Sequence, residues 1–179
     1  MNENNEFDYT VAKKPEGKYR LYRLLMIIGY VLFGAGYFIG LAIAHLYPIM
    51  AFTPLLVWIL VFFTWRFVSI EYRYETVSGG IKFYTVYGGK KKKLVLDMRI
   101  KEFYEITPVN ADTKARIFST NYDKSYYLSR SENDDTDKYF ATFKNSEGKE
   151  CIVYFEATEQ LLKILRFYNS NTTVVKTRY

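Results

Sequence analysis

Residues 24–65 read LLMIIGYVLFGAGYFIGLAIAHLYPIMAFTPLLVWILVFFTW, and no Lys, Arg, Asp or Glu interrupts them. A helix rises about 1.5 Å per residue and the hydrocarbon layer of a bilayer is about 30 Å thick, so each crossing takes roughly 20 apolar residues. The run is long enough for two crossings and too long for any one core element of a small soluble domain. His45-Leu46-Tyr47-Pro48 breaks it near the middle, which predicts a transmembrane hairpin over 21–70, with spans at about 24–46 and 49–69. Pro48 is expected to close the first helix. Pro54 falls in the first turns of the second, where a missing N–H costs little. His45, beside Tyr47, reads as an interfacial polar residue rather than a ligand.

Lys13, Lys14, Lys18, Arg20 and Arg23 precede the first span, and Arg66, Arg73, Lys82 and Lys90 to Lys93 follow the second. The linker between the spans has no Lys or Arg. The positive-inside rule then predicts a multi-pass protein of the cell membrane with both termini cytoplasmic. Ala42-Ile43-Ala44 has the small-x-small shape of a signal cleavage site, but the apolar stretch before it is longer than a signal core and a second span follows at once. Residues 1–20 carry Asn and Glu without an apolar period and are expected to be a disordered cytoplasmic tail.

Gly36, Gly40 and Ala44 recur every fourth residue in the first span, so they line one face on which two backbones can approach closely. The short linker makes the second span of the same chain the expected partner of that face. A homo-oligomer through the stripe is the alternative.

From Glu71 the pattern changes to short runs of period two. Strands are expected at about 71–76, 81–87, 92–98, 101–106, 125–129, 138–144 and 150–155, with Ser78-Gly79-Gly80, Gly88-Gly89 and Asn145-Ser146-Glu147-Gly148 as turns. Residues 110–123 read as a loop or as a short strand near Arg116 to Ser119. Thr158 is placed to cap a helix that presents Leu161, Leu162, Leu165 and Tyr168 on one face and Lys163 and Arg166 on the other. It ends near Asn169, leaving 171–179 as a tail.

The formal charge of +6 is spread thinly. Glu71 to Tyr179 carries 19 Lys and Arg against 15 Asp and Glu, too even a balance for a nucleic-acid partner despite Tyr84 and Tyr87 near the lysines. One Cys and one His leave few ligands for metal or nucleophilic chemistry. Glu132, Asp134, Asp135 and Asp137 alternate like a calcium loop but lack its glycine and closing glutamate, and read as a solvated loop. Cys151 opens an apolar strand and is expected to be buried and inert. No phosphate-binding glycine loop occurs. Asp97, Glu102 and Glu105 have no visible catalytic companions, so no enzyme, cofactor or metal is expected.

Seven antiparallel strands closed by an amphipathic helix resemble the pleckstrin-homology (PH) superfold, a split barrel plugged at one end. The runs Glu71-Tyr72-Arg73-Tyr74-Glu75, Gly79-Gly80-Ile81 and Lys90 to Leu94 with Asp97 also resemble a group of uncharacterised bacterial membrane proteins that carry two spans and a C-terminal PH-like domain. The resemblance covers about residues 20–169. It implies an α+β membrane protein whose residues 71–170 form a cytoplasmic PH-like β domain, and it implies no activity or ligand. PH domains often hold lipid head groups with basic residues in an early hairpin. Lys90, Lys91, Lys92 and Lys93 lie in such a turn, so anionic membrane lipids are one expected contact there, the alternative being a solvated turn that obeys the positive-inside rule. The expected task is that of a membrane-anchored binding or scaffold module for a protein partner. The alternative is an accessory subunit assembled through its helices.

Overall fold

The apolar run forms two helices in the computed structural model, which describes residues 6–174. Helix α1 spans Gly17–Ile43. Leu46 N–H then reaches back to Leu41 C=O at 3.0 Å while His45 takes a left-handed φ of 58°. That is the Schellman way of ending a helix, with His where glycine is usual. Pro48 therefore does not close α1; it sits in the first turn of the next helix. Two pieces, α2 (Tyr47–Met50) and α3 (Thr53–Thr64), continue through a 3₁₀ turn over Trp65–Val68. Both Gly17–Ile43 and Tyr47–Val68 are long and apolar enough to cross a membrane.

The helices meet through a few specific contacts. Tyr30 Oη lies 2.6 Å from Thr64 Oγ1, and a Cβ on Gly34 would stand 3.2 Å from Val57. Tyr19 donates to Val68 C=O. The close approach is thus at Gly34. Gly36 and Gly40 have no neighbouring atom within 4 Å of a would-be Cβ, and both are exposed with Ala44, so the expectation that this stripe packs on the chain's own second span is corrected. The helical turn puts Gly34 and Gly36 about 200° apart, and a hairpin can use only one of those faces.

Two compact units divide the chain. One holds the helices, Lys14–Ile70, with Tyr87–Lys91; the other holds the described remainder, 6–13, 71–86 and 92–174. Its first sheet has the order β1-β2-β3-β4, with β1 Phe7–Ala12, β2 Ile70–Val77, β3 Gly80–Tyr87 and β4 Lys91–Arg99. Strand β1 corrects the expected disordered tail. Phe7, Tyr9 and Val11 alternate with Asp8, Thr10 and Ala12, and β1 lies antiparallel on β2 with Phe7 opposite Thr76 and Ala12 opposite Glu71. Arg73 on β2 forks onto the Asp8 carboxylate. Residues 1–5 of that expected tail lie outside the described residues.

The second sheet has the order β5-β7-β8-β6, built from β5 (Glu105–Pro108), β6 (Lys124–Tyr127), β7 (Lys138–Lys144) and β8 (Glu150–Glu156). The expected seven antiparallel strands become eight, and β6 runs parallel to β8. Strand β1 is the added one, and the parallel pairing follows from helix α4, Ala111–Ser119, where a loop or short strand was expected. Asn110 caps it through a reciprocal box, each of the two bonds with Thr113 being 2.8 Å. Its Ile117 packs with Val109, Phe140 and Ile152 on one face of the sheet, carrying the chain from edge strand β5 to edge strand β6. The opposite face meets the first sheet, where Phe155 lies 5.7 Å from Phe83 and 6.3 Å from Tyr74, ring to ring.

Helix α5, Glu159–Tyr168, is capped by Thr158 as expected and buries Leu161, Leu162, Ile164 and Leu165. The tail expected from 171 is in part ordered. Ile106 N–H bonds Thr172 C=O at 2.9 Å and Val174 N–H bonds Ile106 C=O at 2.8 Å, which covers the β5 edge. Residues 175–179 lie outside the described residues.

Candidate functional site

The lysine cluster falls where expected, in the turn from β3 to β4. Gly88 and Gly89 take φ of 57° and 69°, which side chains rarely adopt. Gly88 has a second constraint, since a Cβ there would stand 2.5 Å from the Cβ of Arg66. Its N–H bonds Ser69 C=O at 2.8 Å, so the turn backbone rests on the end of the helical hairpin. Two cation–aromatic contacts lie at that end, with the Arg23 guanidinium 5.1 Å from the Trp65 ring centre and that of Arg66 5.0 Å from Phe67. The sequence placed Arg23 and Arg66 as flanking charges. Their aromatic partners went unread, although Trp and Arg at the end of an apolar run are the usual signature of a membrane interface.

All four lysines are exposed, but they are not equivalent. Lys92 bonds the Glu75 carboxylate at 2.9 Å and lies 5.6 Å from the Tyr84 ring centre. That bond from Lys92 holds the Glu75 carboxyl below its ordinary value, against the opposing effect of partial burial. Lys90, Lys91 and Lys93 have no ion pair among the described residues. The free positive charge of the cluster is theirs.

The acidic loop is used inside the domain. Asp135 joins Lys114 and Lys138, the latter at 3.2 Å, and Lys138 also donates to Glu132 C=O at 3.0 Å. Lys138 is buried, so this carboxylate compensates an interior ammonium. Burial pushes the Asp135 carboxyl up, but the two lysines outweigh it and hold it below its ordinary value. Among the described residues no three metal-ligating side chains converge. Cys151 is buried, and burial pushes its thiol up, away from the reactive thiolate.

A cleft of about 760 Å³ opens between the start of α5 and the 130–137 loop. Arg130, Lys163 and Arg166 line it together with Asp134, Asp137, Glu156 and Glu159, a mixed set with no single charge preference. On the α4 side of the second sheet Tyr127 and Tyr154 stack at 4.8 Å and 5°. Burial, then Tyr127, push the Tyr154 hydroxyl up to about 12, which keeps it neutral at physiological pH.

A family described as "Bacterial PH-like domain (DUF6106)" matches residues 5–175, nearly the whole chain. No curated protein and no solved structure matches it.

Proposed function

We propose that this chain, which belongs to the bacterial PH-like domain family, is a membrane-anchored binding or scaffold module without catalytic activity. The carrying observation is α1. None of its residues is buried, and large apolar side chains such as Leu32 and Ile43 stand 67% and 75% exposed. Water tolerates only small contiguous apolar patches, whereas a bilayer solvates such a surface. The strand pairing supports a topology as well. Ala12, before the hairpin, and Glu71, after it, are register partners, which keeps both flanks on one side. The basic flanks favour the cytoplasmic side, where the β unit would receive a protein partner. The turn carrying Lys90 to Lys93 then contacts anionic head groups, at about 1 kcal/mol per lysine close to the leaflet.

The test uses the full chain in lipid nanodiscs. Amide exchange over residues 88–93 is expected to be slower in anionic than in zwitterionic lipid, and replacing all four lysines by Ala is expected to erase the difference. Equal exchange in both lipids overturns the head-group contact. A chain that stays soluble without detergent overturns the anchoring itself.

One observation favours assembly through the helices as a second reading, namely the open face at Gly36 and Gly40. Changing both to Ile leaves the intrachain contact at Gly34 untouched. Under this reading co-purifying membrane proteins are lost while the β unit keeps its exchange protection. Unchanged co-purification removes it.

A further inference from the structure

Strand β4, nine residues, is the longest strand among the described residues, and it ends its sheet. The segment Thr172–Val174 covers the β5 edge, but among the described residues no strand or bridge lies on the outer side of β4. An uncovered edge offers a row of N–H and C=O groups to another strand, and natural sheets shorten such edges or break them with proline. Lys91–Arg99 contains no proline and exposes Leu94 at 49%, with Val95, Leu96 and Met98 half-buried. Its guards are the exposed charges Lys91 to Lys93, Asp97 and Arg99.

The sequence of this edge is complementary to itself. Residues directly opposite in an antiparallel pair share a face, with Cβ atoms about 5 Å apart. Centred on Val95, two copies of β4 place Val95 opposite Val95, Leu94 opposite Leu96, and Lys93 opposite Asp97, each of the last two pairings occurring twice. Lys93 has no ion pair among the described residues. Asp97 meets Lys82 through Oδ2 at 3.3 Å and is half exposed, which leaves Oδ1 for a second cation. The neighbouring symmetric registers fit worse. Centring on Leu94 sets Lys93 against Val95 and Lys92 against Leu96, and centring on Leu96 sets Val95 against Asp97 and Lys93 against Arg99, so both place mismatches next to the centre. In the Val95 register the mismatched pairings, Lys92 with Met98 and Lys91 with Arg99, fall in the outer positions of the ladder, where long side chains can splay into water.

We infer that β4 is a homodimer interface in which a second copy of this chain adds to the sheet antiparallel, in the register centred on Val95. The inference stands on the edge and its pattern and does not depend on the lipid contact of the same hairpin.

Cysteine crosslinking in native membranes tests it, with the full chain and with the buried Cys151 as background. Val95→Cys is expected to give a disulfide dimer on mild oxidation. Lys93→Cys and Asp97→Cys should each stay monomeric alone and crosslink to each other when differently tagged copies are co-expressed. Lys93→Asp turns both ion pairs into like-charge pairs and should cut the Val95→Cys crosslink by about tenfold. A Val95→Cys chain that does not dimerise, together with a silent Lys93→Cys and Asp97→Cys pair, overturns the inference. So does crosslinking of Val95→Cys to a different protein, or Lys93→Cys dimerising alone as well as Val95→Cys. Recovery of the chain in the membrane fraction of the same preparation reports separately on anchoring.

Discussion

Tyr74→Ala is expected to destabilise the β sandwich by about 4 kcal/mol or more, a large part of the 5–15 kcal/mol that holds a typical domain. The ring is fully buried. It lies 5.4 Å from the Phe83 ring, 6.3 Å from Phe155 and 6.1 Å from Tyr9, so it touches both sheets and the N-terminal strand. Its hydroxyl donates to Leu128 C=O and accepts from Glu156 N–H at 3.4 Å. Truncation opens a cavity where three rings converge and strands two backbone groups. Burial pushes the hydroxyl well above the usual tyrosine range, which favours the neutral donor. Tyr74→Phe separates the two effects. It keeps the packing and removes the hydroxyl, at about 1–2 kcal/mol. Amide exchange of the detergent-purified chain reads both. For Tyr74→Ala, protection should collapse in β7 and β8 together. Protection equal to wild type would show that Tyr74 does not tie the sheets.

Asn169→Ala is expected to cost about 1–3 kcal/mol, from a side chain that contributes little apolar area. Its Nδ2 donates to Ile100 C=O at 3.0 Å and to Phe103 C=O at 2.9 Å. Those carbonyls belong to the corner between the sheets, where Ile100 and Phe103 are buried. The Asn169 backbone meanwhile closes α5, its N–H bonding Leu165 C=O at 2.8 Å. One residue therefore ends the helix and ties it to the corner. Removing the amide takes its donor from Phe103 C=O and leaves Ile100 C=O with only the 3.3 Å bond from Phe103 N–H. Asn169→Asp should be at least as harmful at neutral pH, because a carboxylate would face two carbonyl oxygens. It should recover in part as pH falls, because those carbonyls raise the folded-state pKa of the new acid and its protonated form can donate one bond. Denaturant midpoints at pH 4 and pH 7 check the sign, and an Asn169→Ala chain as stable as wild type would contradict the clamp.

The residues that announce their structure in the sequence act locally. The charge-free run, the Gly88-Gly89 turn, the capped C-terminal helix and the central hairpin of β7 and β8 are set by neighbours within a few positions, so local periodicity reads them. Strand β1 was harder for a reason of distance. Phe7, Tyr9 and Val11 do alternate, but their partners on β2 lie beyond the whole hairpin, and an isolated six-residue strand in a polar stretch looks like a tail. Helix α4 was missed although Asn110 with Thr113 is a readable capping pair, because the helix is only nine residues long and mostly polar. The parallel pairing of β6 with β8 follows from that helix and was hidden with it. In the lysine cluster the location was legible, but the sequestering of Lys92 by Glu75 was not, since those residues meet only once β2, β3 and β4 lie side by side.

The pairing of β1 with β2 also sets an order of events during synthesis. Strand β1 is made before the two helices and β2 after them, so on the proposed anchoring β1 waits unpaired while both helices enter the bilayer. A chain that inserts one helix and strands the other would leave the two strands on opposite sides, unable to meet. On that anchoring the β1–β2 pairing closes only when both helices have inserted.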